Sequence, residues 1–267
     1  MWTFRRKWTG VWTVLVFLAL VQSMAHGEDE SLNDLQVEEE VAAEWQASID
    51  STVNGKYVWR GINVVDGAVF QPSVTVGRGG FSANAWGNMD ITNDNGQDGD
   101  FTEIDLTLDY SWAWEVANFS AGAIYYTFPH GSAGASTTEL YASAGLDCVL
   151  SPTVTVYEDV DEASGTYGTF AIGHGIDLGS PADGVSVGLD MSASAAYSSS
   201  DFNAFYYGPD ESGFADALFS VGLPIDWDSG LSVTPAINYS SMMDGDLEDA
   251  LQDDSNFWAG VTVGYSF

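Results

Sequence analysis

The chain has 267 residues, with 39 Asp and Glu against six Lys and Arg, which gives a formal net charge of −33 at pH 7. A chain this acidic is unsuited to binding nucleic acid through phosphate contacts. High net charge is typical of disorder only when aromatic residues are few, and here 13% of residues are Phe, Trp or Tyr. Two explanations of the acidity stay open: a proteome adapted to high salt, or an acidic pore with cation-binding loops.

The first residues predict export from the cytoplasm. A basic segment at residues 5–7 precedes an apolar run at residues 11–21, which is too short to cross a bilayer as a helix. Ser23 and Ala25 supply small side chains at the two positions that a signal peptidase reads. We therefore predict a signal peptide over residues 1–25 and cleavage after Ala25.

An acidic segment at residues 26–45 follows the predicted cleavage point, without strand-like alternation. Val37, Val41 and Trp45 fall at helical spacing, so one short helix is possible there. We expect a periplasmic leader, either a solvated tail or a plug.

From about residue 46 the sequence alternates between apolar and polar residues, as the two faces of a β-strand require. In the fourth predicted strand, Ile104 and Leu106 alternate with Glu103 and Asp105. The twelve predicted strands cover about residues 46–60, 68–77, 81–91, 101–112, 118–128, 137–146, 152–160, 166–176, 185–197, 213–223, 231–240 and 256–267. For the eighth strand alone, the sequence does not determine which side chains face outward. The prediction is an all-β protein, a transmembrane antiparallel β-barrel over residues 46–267 with both termini in the periplasm.

The last strand carries the clearest pattern. Phe267, Tyr265, Val263 and Phe257 share its apolar face, while the opposite face is small or polar apart from Trp258. Phe257 and Phe267 would stand roughly 25 Å apart along the membrane normal, at about 3.3 Å per residue and a tilt of about 40°. That is the height of the apolar band of an outer-membrane barrel. We expect Val263, Tyr265 and Phe267 to form the assembly signal that docks to the barrel-assembly machinery.

The predicted connections alternate between short turns and long polar loops, as periplasmic turns and external loops do in such barrels. Pro72 and Pro235 fall inside predicted strands, where each should mark a β-bulge. The residues expected to face lipid are Leu106, Val187, Phe219, Val263, Tyr265 and Phe267.

The polar face of the strands is assigned to the lumen. Strand direction places Arg60 in its outer half among several acids, where it either braces the mouth through ion pairs or forms a constriction that sorts ions. The predicted pore-lining residues are Asp50, Lys56, Arg60, Trp86, Asp90, Glu103, Asp105, Asp109, Glu139, Asp159, Asp190 and Asp216. Acids outnumber bases in this set, so a conducting lumen should prefer cations.

Two acidic loops are candidates for divalent cations that bridge to anionic lipopolysaccharide. The first has the oxygen ligands of a calcium loop at Asp94, Asp98 and Asp100, but its glycines do not fit the EF-hand register. The second spans residues 244–254. The alternative is that both are solvated loops without a metal.

Little in the sequence indicates an enzyme or a cofactor. After the predicted cleavage point the histidines are His26, His130 and His174, of which only His130 lies in a predicted outer loop with acids and serines nearby. The single cysteine, Cys148, excludes an internal disulfide framework. We expect no enzymatic activity, no cofactor and no metal centre, with an outer-membrane hydrolase as the weakest alternative.

Several short motifs come in an order familiar from one family. They include Tyr57–Gly61 (YVWRG), Ala85–Asn88 (AWGN), Glu103–Leu106 (EIDL), Ile124–Pro129 (IYYTFP), Glu139–Tyr141 (ELY) and Gly165–Tyr167 (GTY). The chain resembles the TorF-type family of outer-membrane porins, most closely between Val53 and about His174. This resemblance implies a porin-like channel for small solutes in the outer membrane of a Gram-negative envelope. The alternative is a structural or surface-interaction barrel without an open pore.

Overall fold

The computed structural model describes residues 43–94, 96–129 and 135–267, so the predicted signal peptide and most of the leader lie outside the described residues. Its strands are β1 Trp45–Asn54, β2 Tyr57–Trp59, β3 Ile62–Val65, β4 Val69–Arg78, β5 Phe81–Asp90, β6 Phe101–Trp114, β7 Ala117–Thr127, β8 Thr137–Leu146, β9 Thr153–Asp159, β10 Thr166–Ala182, β11 Val185–Ser198, β12 Gly213–Gly222, β13 Ile225–Trp227, β14 Leu231–Met242 and β15 Ser255–Ser266. Two short helices are α1, Ser200–Tyr206, and α2, Gly245–Ala250. No described helix is long and apolar enough to cross a membrane.

Twelve of these strands form a closed antiparallel barrel, which confirms the predicted fold class and strand number. Each pairs with its neighbours in chain order, and β1 pairs with β15 to close the ring. Ser48 lies opposite Ser266, so the first and last strands begin and end at the same rim. The remaining short strands are β13, which extends the sheet beside β11 and β14, and the hairpin of β2 and β3.

The wall has the apolar outer face that a membrane-spanning barrel requires. Large apolar side chains that would be buried in a soluble protein are exposed there, including Leu106 (50%), Phe219 (51%) and Phe267 (73%). Tyr265 and Val263 are also exposed, while Val187 is half-buried. An open sheet would expose backbone N–H and C=O groups that lipid cannot hydrogen-bond, and closing the ring removes those strand edges.

The first strand is shorter than predicted, and this is the main correction to the sequence-based fold. β1 ends at Asn54, and the N–H of Gly55 then donates to the carbonyl of Ala259 at 2.9 Å. Beyond it, β2 and β3 form a hairpin whose two-residue turn is Arg60 and Gly61. We call residues 57–65 the inner hairpin, because its side chains contact the polar face of the barrel wall.

The expected bulges at the two prolines are wrong. Pro72 pairs with Ser51, and Pro235 with Val261, in ladders without a register shift. On their other side, the β4–β5 ladder has no pair at Pro72, and the β12–β14 ladder ends at Ala236. Proline has no N–H to donate, so each occupies a place where one of the two ladders is interrupted.

Short turns and long connections lie at opposite rims. Two-residue turns join β4 to β5, β6 to β7 and β10 to β11. At the other rim, α1 and α2 lie within the connections that follow β11 and β14. Phe202, Tyr207, Met242 and Leu247 form a buried cluster with partly buried Trp59 packed against it, so this loop rim has a hydrophobic core of its own.

Candidate functional site

The strand register brings predicted pore-lining residues into rows on one face of the wall. Directly paired residues point to the same side, and one row runs Asp50, Ser73, Trp86, Asp105, Tyr126 around five adjacent strands. Trp86 lies 5.7 Å from the ring of Tyr57 on the inner hairpin. The row therefore faces the lumen.

Arg60 forms the central ion pair of this lumen. Its Nη1 and Nη2 each donate to one carboxylate oxygen of Glu139, both at 2.7 Å. Tyr126 donates a further hydrogen bond to Glu139 at 2.8 Å. The Glu139 side chain is 1% exposed and that of Arg60 is 9% exposed. A buried bidentate pair of this kind fixes both the position and the orientation of the guanidinium.

Aromatic rings surround the same guanidinium. Its central carbon lies 4.6 Å from the Trp59 ring centroid, 4.8 Å from Tyr157, 4.3 Å from Tyr167 and 5.2 Å from Phe202. Each distance is within the range of a cation–π interaction, which gains strength when water is excluded. These rings come from the hairpin, β9, β10 and α1, so Arg60 connects four elements around the lumen.

The turn of the inner hairpin is adapted to this contact. Arg60 and Gly61 have φ angles of 48° and 82°, the positive values that a two-residue turn between twisted strands needs. A side chain at Gly61 would collide with the sulfur of Met242 and press on Asp216. Tyr207 donates to the Arg60 carbonyl at 2.8 Å. The tip thus reaches the wall at β12 and β14.

A second set of contacts anchors the base of the hairpin. The Tyr57 hydroxyl donates to Glu103 at 2.9 Å, and Tyr57 is only 8% exposed. Lys56, just before the hairpin, forms an ion pair with exposed Asp66, and its ammonium lies 3.4 Å from the Asn256 side-chain oxygen. Hydrogen bonds from Lys56 and Asn63 lower the pKa of Asp66.

Neutral donors hold the other buried acids of the loop-rim half. Tyr167 donates to Asp216 at 2.7 Å, and Thr137 donates to Asp159 at 2.8 Å. Asn88 donates to fully buried Asp90 at 3.0 Å. Hydroxyl and amide donors satisfy a carboxylate without cancelling its charge.

The remaining predicted acids face the other half of the lumen. Asp109 accepts hydrogen bonds from Ser111 at 2.6 Å and from Tyr141 at 2.5 Å. Asp50 is half-buried and Asp190 is exposed, opposite Gly222 of β12. None of these three side chains is fully buried, so solvent ions can approach them.

Three cavities follow the lumen from rim to rim. A cavity of about 500 Å³ at the loop rim, here called the mouth cavity, is lined by residues that include Trp59, Ile62, Phe128, Phe205, Glu103 and Glu162. A cavity of about 340 Å³ lies between the hairpin and the wall near Thr52, Gln71 and Trp86. Tyr57 lines both of them. A cavity of about 550 Å³ lies at the short-turn rim, beside Asp109 and Ser111.

Sequence reasoning missed how the aromatic residues are used. In the predicted first strand, Tyr57 and Trp59 share the parity of the apolar residues Ile49 and Val53, which predicts that they face outward. Both lie inside the barrel. Gly55 is the signal for this change, because it interrupts the strand just before them. Tyr157 and the α1 aromatics were not singled out, and Tyr167 was named only as part of the GTY motif, since the role of these rings depends on the docking of the hairpin.

The predicted assembly residues and the remaining candidate sites lie elsewhere. Phe267 and Tyr265 stack edge to face at 4.8 Å at the short-turn rim, where the N–H of Phe267 donates to Ala47. His174 is exposed, with its Nδ1 2.7 Å from the Val149 carbonyl oxygen, while His26 and His130 lie outside the described residues. In the described part of both acidic loops, no three metal-ligating side chains are arranged to hold a cation.

Comparison with solved structures finds the same architecture in outer-membrane barrels. A KdgM porin is 14% identical, with 82% of this chain and 99% of the porin covered at a TM-score of 0.50. A KdgM porin in complex with disordered oligogalacturonate is 13% identical over the same shares, with a TM-score of 0.51. LpxR from Salmonella typhimurium is 9% identical, again over 82% and 99%, with a TM-score of 0.50.

At these identities the likeness establishes the fold. No protein-family model matches the chain, and no characterised protein matches it in sequence. Membership of the TorF-type family therefore stays a prediction.

Proposed function

We propose that this protein is an outer-membrane channel for small solutes that prefers cations. The observation that carries the proposal is the distribution of charge on the inner face. Arg60 is neutralised by Glu139 and Lys56 by Asp66. Among the predicted pore-lining residues, the acids left without a basic partner in the described part of the chain are Asp50, Asp90, Glu103, Asp105, Asp109, Asp159, Asp190 and Asp216.

Such a wall attracts cations because the low dielectric of the barrel focuses the field of its carboxylates into the lumen. The inner hairpin narrows the loop-rim half, so permeant ions must pass its acids closely. The same charge opposes anionic sugars. Binding of oligogalacturonate belongs to the KdgM complex, and the proposal does not carry that ligand over to this chain.

Reversal potentials across a planar bilayer in a KCl gradient test the selectivity. We expect strong cation preference in dilute salt that fades near 1 M, because the Debye length falls from about 10 Å at 0.1 M to about 3 Å at 1 M. The double variant Asp50→Asn/Asp109→Asn should weaken the preference. Asp249→Asn, an exposed loop acid in α2, is the matched control and should not. Anion preference in the parent protein would contradict the proposal.

A second candidate function, a closed structural barrel, is favoured by the packing around Arg60. Aromatic rings and a buried ion pair fill much of the loop-rim half, and such packing can close a narrow lumen. Replacing residues 56–66 with a Gly-Ser linker separates the two candidates. In a channel the parent protein conducts, whereas in a closed barrel only the linker variant does.

The barrel fold and the predicted signal peptide both support an outer-membrane location. Its test uses the exposed terminal Phe267, proposed to dock to the barrel-assembly machinery. Deletion of Phe267 should leave secretion intact but lower the amount of folded barrel in the outer-membrane fraction. Normal outer-membrane levels of the deletion variant would refute the assembly role.

A further inference from the structure

We infer that the mouth cavity binds organic cations, meaning ammonium ions that carry an aromatic or aliphatic group. This deepens the proposed function by naming a class of solute, and it rests on that function for passage through the barrel. Binding at the mouth cavity is a separate property, and it is argued from the cavity's walls, its charge and its volume.

The walls supply aromatic faces that internal packing does not account for. Six aromatic residues line the cavity, from the hairpin, β7, its following loop and α1. Within α1, Phe202 is fully buried, but Phe205 is 52% exposed, with its ring against Tyr206 at 4.8 Å. Trp59 and Tyr206 meet edge to face at 4.9 Å. Aromatic faces of this kind attract ammonium groups as well as apolar ones.

The charge of the cavity selects the sign of the guest. Glu103 and Glu162 line it, and no Lys or Arg does so among the described residues. Arg60 lies nearby, but its guanidinium is occupied by Glu139. The side-chain oxygen of Asn63, which also lines the cavity, is buried without a hydrogen-bond donor. Two carboxylates and an amide oxygen without a donor together favour a guest that carries a positive charge.

Size and chemistry together exclude the simpler guests. The volume of about 500 Å³ is within the usual range of small-molecule sites. A bare metal cation would leave the aromatic walls unused, a neutral apolar molecule would leave the carboxylates unused, and an anion would be repelled by them. An organic cation uses both sets of groups.

The test is calorimetric titration of the folded barrel in detergent with benzyltrimethylammonium, benzyl alcohol and benzoate. These probes share a benzyl or phenyl group and differ in charge, and titration into empty micelles corrects for partition. We expect benzyltrimethylammonium to bind most tightly and benzoate most weakly. Equal affinity for the three probes, or tighter binding of benzoate, would overturn the proposal.

Two variants locate the binding. Phe205→Ala should weaken binding of benzyltrimethylammonium about two- to fivefold, and Glu162→Gln about twofold in dilute salt. The matched controls are Phe214→Ala, an exposed aromatic on the outer face, and Asp161→Asn, an exposed acid one residue before Glu162. Both controls should keep the parent affinity. Unchanged affinity in both cavity variants would also overturn the site.

The two proposals fail in different ways. A barrel that conducts no current yet binds benzyltrimethylammonium with the expected variant effects would remove the channel function and keep the site. A cation-selective channel that shows no preference for benzyltrimethylammonium over benzoate would keep the channel and remove the site. Conductance and calorimetry therefore report on them independently.

Discussion

The two halves of the lumen are built by the same strands but differ in how their inward side chains interact. Toward the short-turn rim, hydrogen bonds join neighbours on adjacent strands, as between Ser143 and Thr155 at 3.0 Å. Toward the loop rim, hydrogen bonds also cross the lumen, as between Arg60 and Glu139. One half is a solvated wall and the other is a packed core that the inner hairpin completes.

The difference shows that the alternation of apolar and polar residues determines the wall of a barrel but not which groups fill its lumen. In both halves, most of the inward residues are polar or small, and Trp86 is an exception. Where those residues are Ser, Thr and Gly, a cavity of about 550 Å³ remains. Where they are carboxylates and tyrosines, they provide partners for a hairpin that brings in Arg60. The packed half should therefore respond to mutation as a protein core does, and the solvated half as a surface does.

The largest expected effect is the loss of the central ion pair. Glu139→Ala leaves the Arg60 charge buried without a partner, which should lower the free energy of unfolding by about 3–5 kcal/mol. Asp109→Ala in the solvated half should cost much less. Urea unfolding of the barrel in lipid vesicles measures both.

The double variant Arg60→Met/Glu139→Met serves as the control, since it removes both charges together. It should recover most of the stability lost in Glu139→Ala. An equal loss in the single and double variants would show that the cost does not come from an unpaired charge.

The hairpin tip gives the next largest effect. Gly61→Ala should destabilise the protein by about 1–3 kcal/mol, because it combines a positive φ with a collision at Met242. Gly99→Ala is the matched control, since Gly99 has nearly the same φ (83°) and nothing within 4 Å of an added side chain. Equal unfolding midpoints for the two variants would mean that the tip has room to move.

A smaller effect is expected on ion flow at the border between two cavities. Tyr57 separates the mouth cavity from the next cavity inward, so Tyr57→Ala should raise single-channel conductance. Ser73→Ala, in the row that includes Trp86, should leave it nearly unchanged. Equal conductance in Tyr57→Ala and the parent protein would show that ions take another route past the hairpin.

The smallest effect concerns the exposed ion pair of Lys56. Its partner Asp66 is largely solvated, so Asp66→Asn should change stability by no more than about 0.5 kcal/mol. Because the folded protein lowers the pKa of Asp66, its contribution is present above the unfolded pKa and is lost as pH falls through the folded value. A large stability difference between parent and variant at neutral pH would contradict this.

The sequence periodicity was sufficient to predict the barrel, because every strand that contacts lipid needs an apolar outer face. It could not reveal the inner hairpin, since Tyr57 and Trp59 continue the alternation of the first strand while pointing into the lumen. The acids of the inner face could be proposed individually. The pairing of Arg60 with Glu139, on β8, exists only because the hairpin turns inward at Gly55. No local sequence pattern predicts that pairing.

The place of the inner hairpin in the chain also constrains the order of folding. It lies between the first two barrel strands, yet Lys56 contacts Asn256 across 200 residues, and Gly61 meets β14. Contacts so distant in sequence form late, because the intervening chain must be ordered first. Before the barrel closes, the aromatic side chains of the YVWRG segment are therefore uncovered. Closure of the barrel and filling of the lumen then occur together and late, because both require the last strand, β15.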